Sequence, residues 1–326
     1  RIDPILARKR EHATPTFGEV ASDFVSARAG QYRSDKSVQR LRRALEVNAA
    51  ALTPLPIDEV ATEDVVRLLK TIWNDRPESA RKLRGYIEAV LDAARARGLR
   101  SGDNPARWKG HLDHLLARPK RLSRGHHAAM PYKDVPAFMS RLECDDTMTA
   151  LMLQFLILTA ARSGEALGAV WPEIDLASAI WTVPAERMKS GRVHRVPLSA
   201  RAIEILQQAA KHPLTKVNSN TVTGFVFPGA TKGRPMSAAT CTKWLRAHEA
   251  KTETVHGFRS SFRDWAGEET EFPREIAEAA LAHAVGDSVE LAYRRGDALR
   301  RRRDMMSAWA EHCRPPSVKQ DRNGLE

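Results

Sequence analysis

The sequence predicts a mainly α-helical protein of two domains, an all-helical first domain and a larger α+β domain that contains a small β-hairpin sheet. Three observations support this prediction. Apolar residues recur at helical spacing through most of the chain. No strand periodicity occurs in the first third, whereas one hairpin pattern follows in the second half. A length of 326 residues is sufficient for two domains with proper cores.

Composition favours a globular protein that binds an anionic polymer. Apolar residues make up 42% of the chain, which excludes a disordered tail. The 52 Lys and Arg residues outnumber the 40 Asp and Glu residues, giving a net charge of +12 and a pI near 9.9. This excess makes nucleic acid the first candidate partner, with a basic but inert surface as the alternative.

Other features of the chain indicate a cytoplasmic protein. No apolar run approaches the ~20 residues of a membrane span, and no signal peptide is visible. Cys144, Cys241 and Cys313 form no CxxC pair, which argues against a structural zinc or a disulfide framework and fits a reducing compartment. Because the chain opens on Arg1 rather than Met, an N-terminal part is expected to be missing.

Four helices account for the first domain. Thr16 is the expected cap of the first helix, and the second helix covers residues 37–51. Thr62 is the expected cap of the third, whose apolar residues recur at helical spacing. Pro77 opens the fourth helix, which stops at Gly98.

The second domain adds strands to helices. Residues 147–158 are apolar nearly all round and predict a buried central helix. Ser163 is the expected cap of the next short helix. Residues 180–183 and 193–198 predict a β-hairpin with Lys189 at its tip. The other expected elements are helices over 134–142, 199–211, 237–250 and 297–313 and a short strand over 225–227.

These patterns predict five segments: a linker remnant at 1–14, a helical first domain at 15–108, a basic interdomain linker at 109–130, a mixed second domain at 131–314 and a disordered tail at 315–326. Basic side chains on the first domain and in the linker favour contacts with a phosphate backbone. The alternative is that they are solvated helix faces. The candidate DNA-binding residues are Arg40, Arg43, Arg81, Lys82, Arg84, Lys109, Lys120 and Arg121.

The second domain also carries side chains suited to chemistry on a phosphate. Arg donates two parallel hydrogen bonds from a planar fork, and His can donate to another oxygen. Tyr can act as a covalent nucleophile, and Lys can protonate a leaving 5′ oxygen. The candidate catalytic residues are Arg162, Lys189, His256, Arg259, His283 and Tyr293, with Glu165 as a support for the positive cluster.

Tyr293 is the expected nucleophile because, of the four tyrosines, only this one shares a helical stretch with the other candidates. A free phenol has a pKa near ~10, so a base or a strongly positive site must help it ionise. Core packing is the alternative role for Tyr293, and Lys232, near another turn, is the alternative to Lys189. The phosphotyrosine keeps the bond energy for rejoining. No cofactor or metal is therefore expected, consistent with the absence of a Walker motif or a carboxylate metal cluster.

In this order and spacing, the residues resemble the tyrosine recombinase (phage integrase) family over about residues 16–313, and most of all the P4-type integrases of prophages and genomic islands. The family's Ala-Arg-x-x-Glu matches Ala161, Arg162 and Glu165, and its hairpin lysine matches Lys189. Its other motifs match His256 with Arg259 and the box Leu281-Ala282-His283, ten positions before Tyr293. The departure is Ala282, where the family usually has Gly.

The resemblance implies a SAM-like core-binding domain and a catalytic domain that clamp duplex DNA. It implies site-specific recombination at att-type sites through a 3′-phosphotyrosine, integrating or excising a prophage or genomic island. It further implies a homotetramer on DNA that is a monomer when free, with DNA-bending and excisionase accessory proteins, in the nucleoid of a bacterial cytoplasm. Members usually carry an N-terminal arm-binding domain, which this sequence lacks. The segment after the nucleophile docks on a neighbouring protomer in the family, which makes residues 297–313 the candidate.

Three alternatives remain open at this point. A type IB topoisomerase would use the same chemistry as a relaxing monomer. A non-catalytic DNA-binding regulator could keep the fold, although the intact candidate residues argue against it. A metal-dependent nuclease is opposed by the missing carboxylate cluster.

Overall fold

The computed structural model describes residues 14–32, 34–117, 128–218, 221–248, 250, 252–283 and 298–314. The chain divides into two units, Arg1–Ser123 and Arg124–Glu326, each with its own hydrophobic core. Across the described ranges, no helix combines the length and the apolar character needed to cross a lipid bilayer.

Helices build the first unit, as the sequence predicts. They are α1 at Phe17–Arg28, α2 at Asp35–Arg43, α3 at Thr62–Lys70 and α4 at Pro77–Ala96. A π-helical turn at Ala44–Asn48 continues α2, so the two together cover most of the predicted second helix. The described residues of this unit form no β-strand.

Two N-terminal caps in this unit illustrate a correct and a wrong prediction. Thr16 caps α1 as predicted: its hydroxyl accepts from the Glu19 N–H at 3.3 Å, and the Glu19 carboxylate accepts from the Thr16 N–H at 2.8 Å. Thr62 does not cap α3. The cap position is Ala61, because the Asp64 carboxylate accepts from its N–H at 3.1 Å. The Thr62 hydroxyl pairs instead with His111 Nε2 at 2.8 Å.

The first core extends into the segment that follows α4. Gly98 ends the helix in a left-handed conformation, with φ of 72°, as its glycine predicts. Trp108 stacks on Trp73 with ring centroids 5.5 Å apart. Leu112 and Leu116, which the sequence assigns to the linker, are buried in this core. The packed part of the unit therefore continues beyond residue 108.

The second unit combines helices with two small antiparallel sheets. Its helices are α5 at Val135–Glu143, α6 at Met148–Thr159, α7 at Ser163–Leu167, α8 at Ala200–Lys211, α9 at Ala238–Ala247, α10 at Phe258–Glu268, α11 at Arg274–Ala280 and α12 at Leu299–His312. Its strands are β1 at Ile174–Asp175, β2 at Ile180–Val183, β3 at His194–Pro197, β4 at Lys216–Asn218 and β5 at Thr221–Thr223.

The buried central helix is confirmed as α6. Thr147 caps it, accepting from the Ala150 N–H at 3.3 Å, and every residue from Ala150 to Thr159 is buried. Phe155 on this helix contacts Trp181 and Phe227, with ring centroids 5.2 and 5.3 Å apart. The helix therefore delivers the residues that follow it, including Arg162, from the middle of the core.

The predicted hairpin is confirmed as β2 and β3, paired from Ile180 opposite Pro197 to Val183 opposite His194. The predicted strand over 225–227 is wrong. Phe225 makes only an isolated bridge with Val170, because Gly224, with φ of 82°, and Pro228 confine the extended stretch between them. The second sheet is formed instead by β4 and β5, which the sequence reasoning did not predict.

The last helix packs into its own unit. Trp309 is fully buried, and its indole Nε1 donates to the Ile157 carbonyl of α6 at 2.8 Å. Met305 and Met306 lie in the same core. Leu299–His312 thus packs in its own unit, and docking of residues 297–313 on a neighbouring protomer stays a prediction. The tail at 315–326 lies outside the described residues.

Candidate active site

Arg162 lies where the chain leaves α6. Ala160 takes a left-handed conformation, with φ of 49°, and this ends the helix. Arg162 then occupies the cap position of α7, and Glu165 Oε2 accepts from its backbone N–H at 3.1 Å. The predicted cap, Ser163, is instead the first helical residue. A carboxylate three positions into the helix supplies the acceptor, so no hydroxyl is needed at the cap.

Glu165 also orients the side chain of Arg162. The Arg162 Nη1 donates to Glu165 Oε1 at 2.9 Å, and the carboxylate is almost fully buried. Its Nη2 donates to the Ala282 carbonyl at 3.4 Å. A guanidinium held at two points keeps its direction when a ligand arrives, which is the contribution expected of a supporting carboxylate.

Arg259, on the first turn of α10, is more deeply placed, with 5% exposure. Its Nη1 donates to the Ala160 carbonyl at 2.6 Å and its Nη2 to the Leu281 carbonyl at 2.7 Å. Burial, followed by the charge of Arg162, lowers its pKa to about 10, so it stays protonated at neutral pH. Two like charges held close together on fixed acceptors form a site for an anion.

The His283 ring lies beside Arg259, with His283 Nε2 and Arg259 Nη2 3.2 Å apart. Its Nδ1 is 2.7 Å from Glu278 Oε2, and the other oxygen of Glu278 accepts from Arg263 Nε at 2.7 Å. Burial would raise the pKa of Glu278, but the hydrogen bonds from His283 and Arg263 outweigh it and lower the pKa. An ionised carboxylate can only accept, so Nδ1 carries a proton and Nε2 faces Arg259.

Three successive residues connect these groups through their backbones. The Leu281 carbonyl accepts from Arg259 and the Ala282 carbonyl accepts from Arg162, while the Ala280 backbone hydrogen-bonds the His194 side chain. Ala282 is left-handed, with φ of 51°. A residue with a Cβ pays about 1 kcal/mol for that conformation, which explains why the family usually has Gly here.

The loop that carries Lys189 is fastened to α7. The Arg187 guanidinium bonds the Glu173 carboxylate and the backbone carbonyl of Glu165. Met188 is buried, whereas Lys189 itself is exposed. The alternative lysine, Lys232, instead borders a cavity lined by Pro213 and Leu214. Lys189 as the lysine of the site stays a prediction.

His256 precedes α10, three positions before Arg259, and its carbonyl accepts from the Arg259 N–H at 3.2 Å. The next residue must be glycine, because a Cβ on Gly257 would lie 2.4 Å from the Ala128 carbonyl oxygen. That carbonyl also accepts from the Thr254 N–H at 3.0 Å. The start of the second unit is thus packed directly beneath the turn that carries His256.

Three predicted site residues, Tyr293, Lys120 and Arg121, lie outside the described residues. The described chain stops at His283 and resumes at Ala298. Within the described ranges, no group of three His, Cys, Asp or Glu side chains is arranged to hold a metal ion.

The candidate DNA-binding residues of the first unit differ in their surroundings. Arg40 and Arg43 are exposed on α2, and the exposed side chains elsewhere are Arg81, Lys82 and Lys109. Arg84 is different, because its Nη1 donates to Glu88 at 2.6 Å and to the Ala106 carbonyl at 2.8 Å. The structure thus engages Arg84 within its own unit, and its interpretation as a phosphate contact stays a prediction.

Sequence reasoning missed Glu278, Arg263 and Arg187. Arg263 and Arg187 bond carboxylates 15 and 14 positions away, and Glu275 is an equally plausible carboxylate on the helix of Glu278. His194, the first residue of β3, is half-buried near the cations Arg302, Arg162 and Arg259. Burial, then the charge of Arg302, lowers the pKa of His194 to about 3.

Both parts of the chain match family models of phage integrases. Residues 17–111 match the phage integrase central domain, and residues 129–299 match the phage integrase family. Prophage integrase IntZ of Escherichia coli K12 is 32% identical over 319 residues, 95% of this chain and 75% of that protein. Prophage integrase IntA of the same organism is 39% identical over 165 residues, 50% of this chain and 38% of that protein.

A solved structure has the same fold. The lambda integrase tetramer bound to a Holliday junction superposes with a TM-score of 0.65 and 18% identity, over 89% of this chain and 85% of that one. The prediction of a helical domain followed by a mixed catalytic fold is thereby confirmed.

Proposed function

Because this chain belongs to the phage integrase family and is a tyrosine-type site-specific recombinase, we propose that it cleaves and rejoins duplex DNA through a 3′-phosphotyrosine formed at Tyr293. One observation carries the proposal: Arg162 and Arg259 are fastened to adjacent carbonyls, with the His283 ring 3.2 Å from Arg259. The integrase matches favour a recombinase over the topoisomerase alternative.

In the proposed cleavage step, the phosphoryl group is transferred from the 5′ oxygen of the DNA to the Tyr293 oxygen. The Tyr293 oxygen attacks the phosphorus, the bond to the 5′ oxygen breaks, and the phosphate remains attached through its 3′ oxygen. Charge accumulates on the non-bridging oxygens, where Arg162 and Arg259 donate. His283 Nε2 donates there only when the ring holds a second proton. Rejoining reverses these steps with a new 5′ hydroxyl.

Two groups handle protons in this proposal. Lys189 donates to the departing 5′ oxygen, because an alkoxide leaves poorly without a proton. His256 is the candidate to accept the proton of Tyr293, since it stands three positions before Arg259 across the start of α10. Tyr293 lies five positions before Ala298 in the sequence.

The partners follow from the chemistry. Recombination needs two duplexes and four cleavages, so a homotetramer on att-type DNA is the assembly proposed here, formed from monomers. The lambda integrase neighbour, a tetramer on a Holliday junction, supports this assembly. DNA-bending and excisionase proteins are the candidate accessory factors. Because the substrate is chromosomal and prophage DNA, the site of action proposed is the bacterial nucleoid.

The test is covalent capture on a nicked DNA carrying the recombination site of the source element. Wild-type protein should form an adduct that survives denaturing electrophoresis, because the nick releases the short 5′ strand and prevents rejoining. Tyr293→Phe should bind this DNA normally and form no adduct. Tyr86→Phe, which changes a tyrosine of the first unit, is the matched control and should behave as wild type. An adduct with Tyr293→Phe would remove Tyr293 from the nucleophile role.

A further inference from the structure

α12 carries a buried cation that the proposed mechanism does not use. Arg302 is 1% exposed and shares the core with Met305, Met306 and Trp309. Burying a guanidinium costs several kcal/mol unless polar groups receive it. Its Nη2 donates to the Arg195 carbonyl at 2.6 Å and lies 3.4 Å from His194 Nε2. The cation of the last helix is thus joined to strand β3.

His194 connects Arg302 to the backbone of Ala280, next to the candidate active site. A guanidinium can only donate, so His194 Nε2, 3.4 Å from Arg302 Nη2, accepts and the ring proton lies on Nδ1. The side chain also hydrogen-bonds the Ala280 backbone, and a ring N–H bonds a carbonyl oxygen there. The charged groups that face His194 are Arg302, Arg162 and Arg259, and all three lower its pKa. The ring is therefore neutral, with Nδ1–H directed at Ala280 and Nε2 accepting from Arg302.

Ala280 is the first residue of the segment that organises the phosphate ligands. The next two carbonyls, of Leu281 and Ala282, accept from Arg259 and Arg162, and His283 follows them. We propose that Arg302, acting through His194, is a positioning residue for DNA cleavage: it holds the 280–283 segment, and with it the two arginines and His283, in the geometry that receives the phosphate. This inference rests on the proposed function.

Arg302 also links α12 to the 280–283 segment that holds the phosphate ligands. α12 begins six residues after Tyr293, so the same side chain ties the element that follows the proposed nucleophile to the element that cradles the phosphate. Displacing α12 from its core would withdraw Arg302 and loosen the phosphate ligands at the same time.

The first measurement is the single-turnover rate of adduct formation on nicked DNA at saturating protein. Arg302→Met should lower the rate about tenfold, less than the ~10²–10³ lost with a direct donor, while the Kd for DNA changes less than about twofold. Arg303→Met is the matched control, because it removes the same charge one position away from an exposed side chain. The control should keep the wild-type rate. A wild-type rate in Arg302→Met would refute the proposal.

A double-mutant cycle separates positioning from plain stability. If Arg302 acts through His194, Arg302→Met should cost little further rate in a His194→Leu background. Additive losses would contradict the proposed route. His194→Asn, whose amide nitrogen can still donate to the Ala280 carbonyl, should recover part of the rate lost in His194→Leu. All rates are compared at a temperature well below the unfolding transition of each variant.

NMR titration of the histidine rings in the full chain tests the contact without any cleavage. Arg302→Met should raise the titration midpoint of His194, whereas Arg303→Met should leave it unchanged. An unchanged midpoint in Arg302→Met would refute the Arg302–His194 contact even if cleavage were normal. Absence of any adduct with wild-type protein would instead refute the proposed function, and this titration would still decide the contact.

Discussion

His283 owes its orientation to a carboxylate five residues earlier. Glu278 is held between the His283 ring and Arg263, at 2.7 Å from each, and these two partners keep it ionised against the effect of burial. A histidine fixed at Nδ1 presents Nε2 in one direction, toward Arg259. Catalytic imidazoles depend on such second partners because the partner decides which nitrogen carries the proton.

Glu278→Gln should slow adduct formation about tenfold with little change in DNA affinity, because an amide has one acceptor oxygen and cannot serve both His283 Nδ1 and Arg263 Nε as the two carboxylate oxygens do. Glu275→Gln on the same helix is the control and should keep the wild-type rate. Equal rates for the two variants would show that Glu278 does not serve His283.

Stability gives this substitution a pH signature. The pKa of Glu278 is lower in the folded protein than in the unfolded chain. The ionised carboxylate therefore stabilises the fold above the unfolded pKa, and this stabilisation is lost as the pH falls through the folded pKa. Glu278→Gln should therefore reduce the free energy of unfolding by about 1–2 kcal/mol near pH 7. Denaturant titrations should find this difference shrinking as the pH falls below the usual Glu range.

At the scale of residues, spacing in the sequence identifies side chains that sit within short motifs. Glu165 follows Arg162 by three positions, and the helical geometry of α7 brings their side chains together. Arg263 and Glu278 are fifteen positions apart on different helices, and their pairing depends on how α10 and α11 pack. No local pattern distinguishes Glu278 from Glu275, so the tertiary structure is needed to find it.

The hairpin loop is the element on which Lys189 depends. The loop spans the ten residues from Pro184 to Val193, long enough to move freely unless it is anchored. Arg187 supplies the anchor by reaching Glu173 and the Glu165 carbonyl, while Met188 is buried. Gly168 leaves room for this guanidinium, since a Cβ there would lie 2.9 Å from Arg187 Nη2.

Arg187→Met should therefore impair the step in which Lys189 gives its proton to the 5′ oxygen. Cleavage of ordinary DNA should slow about tenfold. DNA with sulfur at the 5′ bridging position should be cleaved at nearly the wild-type rate, since a thiolate leaves without a proton. Arg192→Met, in the same loop, is the control. If Arg187→Met slows both substrates equally, the anchor does not act through Lys189.

Elements were predictable where a local pattern determines them. α6 follows from a segment that is apolar nearly all round, and β2 with β3 from a hairpin pattern around a turn. The stretch 225–227 is apolar enough for a strand, but Gly224 and Pro228 limit it to isolated bridges. The predicted caps at Thr62 and Ser163 are wrong for the same reason. In each helix the cap is the residue before the predicted one, and its backbone N–H donates to a carboxylate three positions later in the chain.

At the scale of the whole molecule, the net charge of +12 predicts an affinity for DNA that depends strongly on salt. Not every basic side chain is available to DNA, because some are hydrogen-bonded within the protein. Arg84, Arg187 and Arg302 are engaged with carbonyls or carboxylates of their own units. Arg40 and Arg43 are exposed on α2 and remain the candidates for phosphate contacts. The two classes of arginine should therefore respond differently to substitution.

Replacing Arg40 and Arg43 together by Met should weaken DNA binding and reduce the slope of log Kobs against log salt by about 1.8, since each phosphate contact contributes about 0.9. Arg84→Met should leave that slope unchanged and instead lower the unfolding temperature, because the Ala106 carbonyl and Glu88 lose their donor. Fluorescence anisotropy of labelled duplex at several salt concentrations measures the slope, and thermal unfolding measures stability. A slope unchanged in the double variant would mean that this face of α2 does not touch the backbone, and the first unit would then have to approach DNA through another surface.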